Sequence, residues 1–170
     1  SSTYTLKEIP DALDDELSSL AAWRTSPINK DRQGVAVATI SCDQERKNIL
    51  RLLGWLVATK KLTTTPTLGV FHSPKIGAAV QRFAEMLVAD KKRKYSTVSK
   101  YICSFLFAAR FVHARRLSVL PVGAKVDSTA VDQLGALHAQ SLQQARQQAV
   151  FDLAKPPTNW MDWSEVQHVR

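Results

Sequence analysis

The stretch KKRKYSTVSKYICSFLFAARFVHARRLS, residues 91–118, decides how the chain folds. Val98, Ile102, Phe105, Ala109 and Val112 recur at three- and four-residue spacing, one apolar stripe of a helix predicted from Thr97 to about Leu117. Phe107 and Phe111 fall on the opposite side. One neighbour cannot cover two sides, so this helix is expected at the centre of a bundle, packed on more than one flank. Ser96 is the expected cap of its first turn, and Leu120, Pro121, Val122 and Gly123 its stop.

Working outward, the pattern stays helical. Ser73 and Pro74 supply a cap and a proline at the first position of a helix reaching Asp90, with Ile76, Ala79, Val80, Phe83 and Leu87 on one face. Further back, Ser41 and Gln44 form a capping box for a helix that gathers Ile49, Leu52, Leu53 and Leu56. Between these two, Thr63, Thr64, Thr65, Pro66 and Thr67 interrupt the period, and a loop is expected as far as His72. A short first helix runs from Asp11 to Arg24 on Leu13, Leu17 and Leu20, and residues 26–40 read as a loosely attached linker. Downstream, Ser128 opens a long helix to about Leu153. Its weak stripe of Val131, Leu134, His138, Leu142, Ala145 and Ala149 suggests a peripheral or partner-seeking element. Pro156 and Pro157 then mark a boundary. The resulting division is residues 1–40 as helix and linker, 41–155 as an all-α bundle of four to five helices, and 156–170 as a linker into a further domain.

The chain of 170 residues carries 23 Lys and Arg against 15 Asp and Glu, a net charge of +8 that favours anionic partners. Nine cations, Lys91, Lys92, Arg93, Lys94, Lys100, Arg110, Arg115, Arg116 and Lys125, lie in residues 91–126, where there is no Asp or Glu; the rest of the chain is therefore net −1. Ordinary surfaces intersperse both signs, so this excess is expected to gather on one side of the folded bundle. No apolar run reaches the roughly 18 residues that span a bilayer, and no membrane partner is expected. Only two cysteines, Cys42 and Cys103, occur, far apart; a reducing, intracellular compartment fits, the nucleus in a eukaryote and the cytoplasm or nucleoid otherwise.

Motifs of nucleotide-binding loops, hydrolase elbows and zinc proteases do not occur. His72, His113, His138 and His168 are scattered without ligand spacing, so no metal and no cofactor is expected. His138 reads as a packing residue and Cys103 as a small buried hydrophobe. The basic stretch, by contrast, has a logic for duplex DNA. Lys91, Lys92, Arg93 and Lys94 lead into a helix N-terminus, where free backbone N–H groups also attract phosphate. Ser96, Thr97 and Ser99 add hydroxyls in the first turn, Lys100 follows one turn on, and Arg110, Arg115 and Arg116 are expected either on phosphates or in ion pairs with other helices.

Residues 95–112 resemble the signature of the SAM-like core-binding domain of tyrosine recombinases, the phage-integrase family; Thr97, Val98, Tyr101, Phe105 and Val112 are the matching positions. Trp163, Ser164, Glu165 and Val166, after a proline-containing linker, are similar to the opening of that family's catalytic domain. The resemblance implies a bundle that grips one face of duplex DNA for recombination or integration while a separate domain performs the chemistry. It also implies head-to-tail contact between protomers through a peripheral helix, here the one predicted at 128–153. No residue of the family's catalytic set is found: His168, Val169 and Arg170 do not make His-x-x-Arg, and Tyr4, Tyr95 and Tyr101 lie in the wrong region for the nucleophile. The chain itself is thus expected to bind rather than react, within an active recombinase or a recombinase-derived regulator. A helical protein-interaction domain with a basic surface is the alternative.

Overall fold

The computed structural model describes residues 4–32 and 34–154. The predicted linker at 156–170 and the Trp163 to Val166 motif lie outside them. Among the described residues there are five helices and no strand: α1 (Asp11–Thr25), α2 (Thr39–Ala58), α3 (Ile76–Ala89), α4 (Tyr95–Ser118) and α5 (Thr129–Ala154), with a 3-10 helix, Leu68–His72, between α2 and α3. None of these helices is long and apolar enough to cross a membrane.

The two-sided pattern of α4 makes it the axis of the bundle. Phe105, fully buried, meets Phe71 of the 3-10 helix at 6.0 Å and Phe83 of α3 at 5.8 Å between ring centroids. Burying a side chain of this size contributes about 2–3 kcal/mol. On another flank Asn48 of α2 donates to Ser104 Oγ at 3.0 Å, a buried polar pair that fixes the register of α2 on α4. Helix α5 runs antiparallel to α4, since Gln148, near its end, accepts from the first backbone N–H of α4, that of Tyr95. Leu134 and Ala130 are buried under it. The first half of α5 is therefore a core element, not the peripheral helix its weak stripe predicts.

Several local expectations are corrected. Helix α1 puts Leu13, Leu17 and Leu20, each at most 4% exposed, into the same core as α2–α4. The segment after α1 is not loosely attached. Arg32, buried, donates to the carbonyls of Trp23 at 2.7 Å and Ser26 at 2.6 Å, satisfying orphan acceptors at the C-terminus of α1. The Thr/Pro-rich loop ends in the 3-10 helix, whose Leu68 and Phe71 are 0% exposed. Ser41 lies inside α2, which starts at Thr39; Ser73 precedes α3 by three residues, its Oγ accepting from Lys75 N. At the other end of α2, the 4–6 segment crosses directly over Gly54. A Cβ there would fall 1.6 Å from the Tyr4 carbonyl oxygen, so only glycine permits the crossing.

Candidate nucleic-acid interface

The chain leaves α3 by a tight turn in which Lys91 N and Arg93 N donate to the carbonyls of Met86 and Leu87. Lys92 adopts φ +50°, the left-handed region, which costs a non-glycine residue about 1–2 kcal/mol. The turn sets Lys91 and Arg93 around a recess that Arg51 of α2 also lines, floored by Phe83, Leu87 and Tyr101. Arg51 Nη1 donates to Tyr101 Oη at 2.5 Å, and Lys91 Nζ lies 5.6 Å from the Tyr4 ring centroid. Among the described residues no carboxylate lines this recess. Sequence reasoning missed Arg51 because it is remote from the basic segment. Its one signal is a cation interrupting the apolar run from Ile49 to Leu56.

Lys92, Arg93, Lys94, Ser96 and Lys100 are exposed, and Lys91 and Thr97 are half-buried. Ser99 is not available to a ligand: it is buried, and its hydroxyl donates to the Ser96 carbonyl at 2.9 Å. Ser96 does not cap α4. The helix begins one residue earlier, at Tyr95, and no side chain of the N-cap residue, Lys94, bonds its first turn. Gln148 of α5 takes the Tyr95 N–H instead.

The remaining arginines do not join this group. A 24-residue helix is about 36 Å long at 1.5 Å per residue, which holds Arg115 and Arg116 about 30 Å from the Lys91 to Lys94 turn. Arg110 lies 5.5 Å from the Phe107 ring centroid and Arg115 5.2 Å from that of Phe111, while Arg116 lines a groove beside the start of α3. The acid-free segment is thus contiguous in sequence and divided in space, contrary to the expectation of one cluster. What survives is the absence of neutralisation. Among the described residues the ion pairs are Arg24–Glu45 and Arg46–Asp14, and neither involves a cation of residues 91–126.

The other candidate groups are structural. Burial chiefly, and Glu45 next, push the Cys103 thiol above its ordinary value, against Arg24 and Arg110, so it stays protonated at neutral pH. No three His, Cys, Asp or Glu side chains among the described residues are grouped to hold a metal ion. His138 is half-buried, and burial followed by the Arg110 charge lowers its pKa below 6.5. The unfolded chain then binds more protons than the native one in the window just below pH 6.5, so this histidine favours the fold above that window and opposes it as pH falls through it. His138→Gln is expected to flatten the dependence of the thermal midpoint on pH just below 6.5, measured by circular dichroism; an unchanged slope would show that the imidazole is freely solvated.

Comparison of the chain with protein-family models, with curated proteins and with solved structures found no match.

Proposed function

We propose that this chain binds duplex DNA, as the core-binding part of a tyrosine-recombinase-like protein. The observation that carries the reading is the set of cations at the start of α4: Lys91 and Arg93 share a recess with Arg51, Lys92, Lys94 and Lys100 are exposed in the same turn and first turns of the helix, and none is in an ion pair among the described residues. Cations held this way neutralise phosphates and release condensed counterions, which gives affinity without sequence readout. Exposed Ser96 and half-buried Thr97, in the first turn of α4, are the side chains nearest such a backbone and set its register. In this reading the chain clamps and does not cut. The exposed Gln143, Gln144 and Gln147 of α5 are the surface offered to a second protomer.

The test is a salt titration. With about five to seven phosphates neutralised, log K for a duplex plotted against log salt has an expected slope of about −4 to −6. A flat slope, or no saturable complex at low salt, rejects DNA as the ligand and favours the protein-interaction alternative.

A further inference from the structure

A second cationic site lies at the other end of the seam between α2 and α3. Lys61, Lys75, Arg82 and Arg116 line a groove of about 870 Å³, together with the hydroxyl-bearing Thr64 and Thr65. The four cations come from four places: the end of α2, the turn before α3, the exposed face of α3, and the end of α4. All four are exposed, and among the described residues none is in an ion pair and no carboxylate lines the groove. Like charges do not converge on a concave surface without cost. Field lines focus in such a groove, and a polyanion is the partner that relieves the repulsion.

The two sites share a direction. Phe83 and Leu87 of α3 line the Arg51 recess, and Ile76, Ala79 and Arg82 of the same helix line the groove. Trp55 of α2 packs on Phe83 between them, at 5.5 Å between ring centroids. From Leu87 to Ile76 the helix rises about 16 Å at 1.5 Å per residue. That is the length of about five phosphates on one strand of a duplex.

We infer that this groove seats a second run of backbone phosphates, so that the α2–α3 seam, and not α4 alone, tracks the DNA. The inference rests on the DNA-binding reading and extends it: Arg116 belongs to this site, and Lys61, Lys75 and Arg82 join the interface. The hydroxyls of Thr64 and Thr65 donate to phosphate oxygens beside the charges.

The experiment measures anisotropy of a labelled random-sequence duplex at several salt concentrations, using the whole chain. Arg82→Glu combined with Arg116→Glu removes two phosphate contacts. The expected result is a slope shallower by about two and a loss of affinity of about 40-fold at physiological salt. Should that variant lose helix by circular dichroism, the exposed pair Lys61→Gln and Lys75→Gln serves instead, with the same expected change in slope. If the unmodified chain binds and these variants bind identically, the groove is overturned while the α4 site stands. If the unmodified chain forms no complex, both fall.

Discussion

Replacing Glu45 with Ala is expected to destabilise the bundle by about 3–5 kcal/mol, because it strands a buried arginine. Arg24 is 5% exposed at its side chain, and both oxygens of Glu45 receive it, from Nε at 3.2 Å and from Nη2 at 2.7 Å. The guanidinium carbon also lies 3.4 Å from the Phe107 ring centroid, so the charge is held between a ring and a carboxylate. Removing the carboxylate leaves a cation that cannot reach water without disrupting α1, α2 and α4 together. Against a typical total stability of about 5–15 kcal/mol, the loss should lower the thermal midpoint by about 10 °C. Replacing both partners by apolar residues, Arg24→Met with Glu45→Leu, removes the orphaned charge and should recover most of the loss. Thermal and urea unfolding of Arg24→Met, of Glu45→Leu and of the double variant make the cycle, with Glu45→Ala measured beside them. A Glu45→Ala cost below about 1 kcal/mol would mean the pair is as weak as an exposed one.

That pair also illustrates what the sequence could not announce. The apolar stripes of α3 and α4 are written in local spacing, and their burial follows directly: Val80, Phe83, Phe105 and Val98 are at most 2% exposed. Capping is different when the acceptor comes from afar. Ser96 looks like the cap of α4 by proximity, yet the first N–H is satisfied by Gln148, brought 53 residues back by the antiparallel α5. The same holds for the segment after α1, which has no period of its own and is ordered by one arginine reaching carbonyls. Leu68 and Phe71 were hidden because a run of threonines and a proline signals a loop, while two apolar residues in a 3-10 turn carry too short a pattern to register.

The candidate site was legible in composition and misread in geometry. An acid-free stretch of residues 91–126 is visible at once, but a straight helix through its middle carries the charges to opposite ends. Tertiary packing then regroups them with Arg51, Arg82, Lys61 and Lys75, of which only Arg51 stands out in its own neighbourhood. Net charge survives folding; adjacency does not.

The turn between α3 and α4 allows the sharpest separation of binding from stability. Lys92, Arg93 and Lys94 are all exposed and in no ion pair among the described residues, so Lys92→Glu, Arg93→Glu and Lys94→Glu together break no ion pair there and keep the backbone bonds of the turn. Lys94 is the N-cap of α4, where an acid interacts favourably with the helix dipole by about 0.3–1 kcal/mol, while Lys92 and Arg93 follow the C-terminus of α3, where an acid is opposed by a similar amount, so the triple variant should be about as stable as the parent. The duplex binding proposed for the chain should suffer greatly. Three lost phosphate contacts make the salt slope shallower by about three, which corresponds to a weakening of about 300-fold at physiological salt, similar for every duplex sequence. Circular dichroism fixes the stability arm and anisotropy with two unrelated duplexes the binding arm. A folded triple variant that still bound DNA with the parent slope would remove the start of α4 from the interface.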